Sequence, residues 1–374
     1  MNTPNTRREF LADVGRGMVV ATVGYSLASE LGLATAFALD APDTLTFGEL
    51  EPLVAFMQET PVKQLVPRLA EKLKSGIELK RLVTAAALAN ARTFGGEDYV
   101  GFHTMMALSP ALHLASELPL AQQPLPIFKV LYRNTNRIQE HGGRSGEVLH
   151  AVQPQKMTGE KPGEALRELV RHKDVGAAEQ ALAALVQRSP DEALNDLLYA
   201  VQDNTEVHRV VLPYRSWDLL DVVGRNHAHT LLRQSVRYCV KAETWPRNAT
   251  WDEPRTVLPK LLEQHRLLDR QPGTRAGDDN WVDQLSQSIF KSTPAQAAEA
   301  AAAALEEGFA PADVGEAISL AANQLILRDM GRTPRDEVPG KPIGSVHGDS
   351  IGVHACDSAN AWRNLCQPMN CWPS

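Results

Sequence analysis

Three short segments place a histidine at nearly constant spacing after an aspartate and a glycine. The shared pattern is Asp-x-Val/Ile-Gly-x-His, and its copies are Asp98–His103, Asp221–His227 (one residue longer) and Asp349–His354. Three imidazoles that meet at one point can hold a divalent metal ion and leave a coordination position open for water or substrate. Without a metal, imidazole titrates near neutral pH and suits general acid–base catalysis. The pattern therefore predicts a site formed by His103, His227 and His354, either around a divalent metal ion or from the imidazoles alone.

The same pattern also has a purely structural interpretation. The aspartate caps a helix, the glycine lets another helix approach closely, and the histidine is a buried residue bonded to a carbonyl. The chain would then be a non-catalytic helical scaffold or a ligand-binding protein. Three histidines near the same segments are second candidates for the site: His113, His229 and His347. Four others fall in polar stretches and are expected to be solvated: His141, His150, His172 and His265.

The elements that carry the pattern are predicted to be helices. Apolar residues recur three and four apart along most of the chain, while alternating runs of strand length are nearly absent. Three segments read as helical hairpins, each followed by one copy of the pattern: Val62–Asn90, Val175–Gln202 and Ala295–Ala322. Overlaying them aligns Leu82 with Leu194 and Val314, and Ala89 with Val201 and Ala321. We therefore predict an all-α array of helical hairpins with three pseudo-repeats, about 62–118, 175–241 and 295–366, that close around a central pocket.

The first residues are typical of a twin-arginine signal peptide. Thr6–Leu11 contains Arg7 and Arg8 followed by Glu, Phe and Leu, and an apolar stretch, Met18–Ala28, comes next. That stretch is about half as long as a membrane-spanning helix requires. Ala36–Ala38 offers an Ala-x-Ala cleavage site. We expect residues 1–38 to be a signal, residues 39–374 to be one helical domain without a transmembrane anchor, and the twin-arginine translocation machinery to export it to the periplasm or beyond.

Composition narrows the class of protein further. The formal net charge is -7 and lysines and arginines do not cluster, which argues against nucleic acid as a partner. Hydrophobic residues make up 43% of the chain, enough for a packed core. The four cysteines are Cys239, Cys356, Cys366 and Cys371. An oxidising periplasm allows disulfides, and the sequence leaves all three pairings open. Serine nucleophile elbows, phosphate loops, dinucleotide fingerprints and His-Glu-x-x-His pairs are absent from the sequence.

Two of the histidine segments resemble a known family. Gly101–Ala107 and Val353–Ala361 are similar to the histidine-bearing helices of questin oxidase-like proteins, which are helical and are associated with oxidation of polycyclic aromatic ketones. The chain as a whole resembles exported bacterial proteins without an established activity. The family resemblance implies an oxidoreductase-like enzyme that acts on a small molecule in a pocket lined by histidines.

Overall fold

A computed structural model describes residues 45–155, 161–348 and 350–366, and these residues confirm the all-α class. Outside the helices, backbone pairing in the described ranges is limited to two isolated bridges, so no strand forms there. None of the described helices is long and apolar enough to cross a membrane. The predicted signal peptide, Asp349 and Cys371 lie outside the described residues.

The first twelve helices build the main body. They are α1 (Glu51–Glu59), α2 (Val62–Lys74), α3 (Leu79–Phe94), α4 (Tyr99–Met106), α5 (Leu108–Ser116), α6 (Pro124–Glu140), α7 (Pro162–Arg171), α8 (Val175–Arg188), α9 (Pro190–Val201), α10 (Val207–Asp218), α11 (Leu220–Val223) and α12 (Ala228–Ala242). The remaining helices are α13 (Ala249–Asp252), α14 (Pro254–Gln264), α15 (Asp279–Lys291), α16 (Pro294–Glu306), α17 (Pro311–Leu327) and α18 (Ile351–Leu365).

Helix α3 is the centre of the main body. Every residue from Leu82 to Phe94 is buried, and α1, α4, α6, α11 and α12 pack around it. Eight of the sixteen residues of α3 are alanine or leucine, which favour helix, and the small alanines let neighbouring helices come close. The helix ends at Gly95, whose φ of 55° is the left-handed conformation that glycine adopts without strain.

Helices α14 to α17 form a smaller unit with its own apolar contacts. Leu261, Leu267 and Ala302 make one small core, and Ala304, Phe309 and Val314 make another. Helix α18 joins this unit to the main body, because it packs against α17 on one side and against α10 on the other. The last helix of the described chain therefore bridges the two cores.

The predicted hairpins exist as pairs of helices, α2–α3, α8–α9 and α16–α17. All six aligned hairpin residues are buried, as the overlay requires. The pairs nevertheless pack differently: α8 lies against α9, whereas α2 packs chiefly against α6 and α16 chiefly against α15. The helices do not share one packing arrangement, so the threefold repeat stays a prediction from the sequence.

The cysteines allow fewer pairings than the sequence alone left open. Cys356 lies on α18 and Cys366 ends it, ten residues later. At 1.5 Å per residue they are about 15 Å apart, too far for a disulfide. Cys239 is fully buried, and burial raises the pKa of its thiol to about 11. The pairing that joins Cys356 to Cys366 is therefore excluded, and two pairings remain.

Candidate functional site

The first copy of the pattern builds the start of α4. The Asp98 carboxylate accepts a hydrogen bond of 2.6 Å from the backbone N–H of Gly101, so it caps the helix as the structural interpretation predicts. Burial alone would raise the pKa of Asp98, but hydrogen bonds from the Arg137 guanidinium and Gly101 outweigh it and lower that pKa. One turn into the helix, His103 Nδ1 lies 2.6 Å from the Tyr99 carbonyl oxygen. The cap and this bond fix the direction in which the imidazole points.

The second copy has a different local structure. Asp221 lies inside the short helix α11, and Gly224 ends that helix with a φ of 104° instead of packing within a new one. His227 follows in a 3-10 turn, where its ring contacts Phe47 at 6.0 Å between centroids. Burial lowers the pKa of His227. In the described ranges, the His227 ring makes no ring contact with His103 or His354. The structure therefore does not bring His227 to the predicted shared site.

The third copy opens α18. Ser350 caps this helix by accepting a hydrogen bond of 3.3 Å from the Val353 N–H. Gly352 faces the backbone of α17 so closely that a Cβ there would lie 2.8 Å from Ile326. This close approach sets α18 against α17 and places His354 beside α10.

His208, at the start of α10, contacts both His103 and His354. Its Nε2 is 3.3 Å from Nε2 of His103, with ring centroids 5.0 Å apart. The ring centroids of His354 and His208 lie 5.7 Å apart. The structure thus gathers His103, His208 and His354 where α4, α10 and α18 converge. The sequence pattern missed His208, and the signal for it was one imidazole in the largely apolar helix start Val207–Leu212, beside Arg209.

The largely buried carboxylate of Glu206 contacts His208 at its Nδ1 atom. Glu206 Oε1 is 2.5 Å from His208 Nδ1, and Glu206 Oε2 accepts a hydrogen bond of 2.9 Å from the Tyr238 hydroxyl. Burial would raise the pKa of Glu206, but its hydrogen bond with His208, the charge of that ring and the bond from Tyr238 lower it. The Tyr238 hydroxyl is buried beside this carboxylate, and both effects raise its pKa. Glu206 is therefore an ionised acceptor.

These bonds determine where the protons of the two rings lie. A carbonyl and an ionised carboxylate only accept hydrogen bonds, so His103 Nδ1 and His208 Nδ1 both carry hydrogen. Each neutral ring would then present an unprotonated Nε2 to the other. The Nε2–Nε2 contact is a hydrogen bond only when one ring carries hydrogen on both nitrogens. A hydrogen bond across this contact therefore needs one of the rings to be positively charged, and Glu206 would supply the compensating negative charge.

A metal ion is the other cation that such a pair can hold. Two nitrogen ligands of tetrahedral zinc lie about 3.3 Å apart, which follows from Zn–N bonds of about 2.0–2.1 Å. The separation of the two Nε2 atoms fits that value. However, no group of three or more His, Cys, Asp or Glu side chains in the described ranges is arranged to hold a metal.

The second candidates lie elsewhere. His113 is exposed on α5. His229 is half-buried on α12, where burial and the neighbouring Arg233 lower its pKa to about 4. His347 lies 3.8 Å from Asp336 in the loop before α18. A cleft of about 570 Å³ opens beside α1 and the turn between α2 and α3, but no histidine lines it. The predicted central pocket is therefore not confirmed.

Solvent reaches the histidine cluster from one side. Tyr99 packs on His103 with ring centroids 4.5 Å apart and is itself 55% exposed. His103 and His354 are half-buried, whereas His208 is 8% exposed. His103 and His354 are thus more exposed than His208, whose Nδ1 atom faces Glu206.

Comparison with known proteins leaves this site to be interpreted from its own geometry. No protein-family model, curated protein or solved structure matches the chain. The resemblance of Gly101–Ala107 and Val353–Ala361 to questin oxidase-like proteins stays a prediction from the sequence. The two segments belong to α4 and α18 and carry two of the three clustered histidines.

Proposed function

We propose that this chain is an exported enzyme whose catalytic centre is formed by His103, His208 and Glu206 and works by general acid–base catalysis. One observation carries the proposal. The two Nε2 atoms lie 3.3 Å apart while each Nδ1 is held by an acceptor, so a hydrogen bond between the rings needs one of them to carry a second proton. Such a proton, held at a partly exposed position, is available to a reacting molecule.

In this proposal the residues have distinct roles. The histidine pair gives its proton to a basic atom of a substrate that approaches beside Tyr99, and later regains a proton from solvent. A positioned acid or base of this kind contributes about 10²- to 10⁴-fold to a rate. Glu206 orients His208 and stabilises its charged form, as the buried aspartate does in serine protease triads. Tyr238 is a positioning residue, because it reaches the rings only through Glu206.

The broader identity of the enzyme rests on the sequence. The family resemblance favours an oxidoreductase, and the segment around Arg7 and Arg8 favours twin-arginine export. A divalent metal in place of the shared proton is tested by metal analysis of the exported protein. Metal bound at about one ion per chain and lost from both His103→Gln and His208→Gln would replace the proton in this proposal.

The test combines activity with a direct measurement of the protons. Purified protein is incubated in air with a panel of aromatic ketones, phenols and alcohols, and products are followed by mass spectrometry. His208→Gln keeps a donor for Glu206 but transfers no proton, so turnover should fall at least about 100-fold. His113→Gln, at an exposed position of α5, is the matched control and should not change turnover. In ¹⁵N NMR of the histidines at pH 7, one ring of the pair should carry hydrogen on both nitrogens; two neutral rings would refute the proposal.

A structural role for the histidines is the second candidate, and the surroundings of His208 favour it. The rings of Phe102 and Tyr238 pack against His208, with centroids 4.7 Å and 6.2 Å away, as around a core residue. In a scaffold, His208→Ala would lower the free energy of unfolding by about 1–3 kcal/mol, because Glu206 loses its partner. His208→Gln would restore most of that stability. Turnover that survives in His208→Gln would refute the catalytic role of His208 and support a structural one, and no turnover in the wild type would support the scaffold.

A further inference from the structure

His265 is enclosed between two carboxylates far from the candidate site. Its Nδ1 lies 2.6 Å from Glu306 Oε2 and its Nε2 lies 2.9 Å from Glu299 Oε1. Its position in a polar stretch predicts a solvated histidine, but this prediction is wrong, since the residue is only 5% exposed. The reason is that α16 crosses the end of α14 and covers the ring with two turns of helix.

Both bonds form only in one protonation state of the ring. Two ionised carboxylates accept hydrogen bonds, so both ring nitrogens must carry hydrogen and His265 must be charged. The hydrogen bond with Glu306 raises the pKa of His265; burial opposes this, and Glu299 adds to it. When the ring loses its proton, one of the two carboxylates faces a nitrogen lone pair. The contact on that side then becomes repulsive.

Besides the two bonds of His265, the elements that it joins share a small apolar core. His265 ends α14, just before the 3-10 turn Leu267–Asp269, and both carboxylates belong to α16. The apolar contact between these elements rests on the small core of Leu261, Leu267 and Ala302. Two charge-assisted hydrogen bonds are a large part of the attraction across so small a core.

Few other charged groups lie near the ring. Glu299 and Glu306 face it from α16, and on α14 its neighbour Gln264 donates a hydrogen bond of 2.9 Å to Glu299. Beyond the 3-10 turn, the Arg270 guanidinium donates to the backbone carbonyl of Glu306 rather than to its carboxylate. In the described part of the chain, the side-chain bonds of these two carboxylates come from His265 and the uncharged Gln264, so the charge of His265 controls the junction.

We propose that His265, Glu299 and Glu306 form a pH-operated latch that fastens α14 to α16 at low pH and releases it as the pH rises. The sign follows from the charge requirement. The latch is complete below the pH at which a free histidine titrates, about 6.5, and is lost as the pH rises through the higher pKa of the folded ring. Release loosens the helix pair and leaves the main body folded.

Hydrogen–deuterium exchange on the full chain tests the latch helix by helix. Exchange is measured at pH 6 and pH 8.5 and corrected for the intrinsic pH dependence of amide exchange. In the wild type, protection of α14 and α16 should fall about tenfold or more at the higher pH, since each bond to a charged group is worth at least about 1.5 kcal/mol. Protection of α3 should not change.

The matched variants identify the group responsible. In His265→Gln, protection of α14 and α16 should no longer depend on pH. His172→Gln replaces an exposed histidine after α7 and should behave like the wild type. Glu306→Gln removes one carboxylate and should move the loss of protection to lower pH, which keeps the test open if His265→Gln does not fold. A pH effect of the same size in His265→Gln, or one spread equally over α3, would overturn the proposal.

Discussion

Replacing Glu206 by glutamine changes one buried charge and little of the shape around it. The carboxylate takes hydrogen bonds from the His208 ring, the Tyr238 hydroxyl and the backbone N–H of Arg209, at 2.5, 2.9 and 3.2 Å. The amide of glutamine has a single oxygen, so its NH₂ group must point at one of these donors. A hydrogen bond to a charged group is worth about 1.5–3 kcal/mol. We expect Glu206→Gln to lower the free energy of unfolding at pH 7 by about 2 kcal/mol.

The pH dependence of this loss distinguishes the charge from other effects of the substitution. Because interactions in the folded protein lower the pKa of Glu206, its stabilisation is fully present above about pH 4.3, the unfolded value, and is lost as the pH falls through the folded value. Urea unfolding followed by circular dichroism, at several pH values from 7 to 4, measures the difference. The gap between wild type and variant should narrow toward the acid end of this range.

The control for this measurement is a carboxylate at the surface. Glu192→Gln removes an exposed partner of Arg188 on α9, and such pairs are worth about 0–1 kcal/mol. A loss in Glu206→Gln no larger than this, or one that stays constant when the same measurement is extended to pH 3, would refute the argument that Glu206 is an ionised acceptor beside His208.

Two further predictions concern export and packing. Replacing Arg7 and Arg8 together by lysine should keep the chain in the cytoplasm, seen as loss of periplasmic protein on cell fractionation, whereas unchanged export would contradict the signal assignment. Gly101→Ala places a Cβ 2.5 Å from the buried Phe94 ring and should cost about 1–3 kcal/mol of stability by thermal unfolding. Gly348→Ala adds its Cβ where no atom lies within 4 Å and should cost much less, so equal losses would count against this packing account.

Much of the fold follows from local sequence. The spacing of apolar residues predicts the helices on both sides of the turns at Gly76, at Ser189 with Pro190, and at Gly308, and the structure has helices there. Helix formation depends on neighbours three and four residues away, which a single sequence displays. The capping role of Asp98 is predicted for the same reason, because a cap bonds to the next turn of its own helix.

The composition of the site depends on contacts that the sequence does not display. In the second copy of the pattern Asp221 lies inside a helix that ends at Gly224, so His227 falls in a 3-10 turn away from the cluster. His208 stands in no repeated pattern. It meets His103 because α10 crosses α4, and that crossing depends on packing between helices distant in the chain. The repeated Asp-x-Val/Ile-Gly-x-His pattern predicted His103 and His354 and could not predict His208.

The bridging position of α18 has a consequence for the order in which the molecule matures. His354 reaches His208 only after α18 has been synthesised, and α18 is the last helix of the described chain. A nascent chain that lacks α18 can therefore form α4 and α10 while its histidine cluster is unfinished. On the export route proposed above, which carries folded passengers, the cluster is completed in the cytoplasm. On that route the chain would cross the membrane with all three clustered histidines in place.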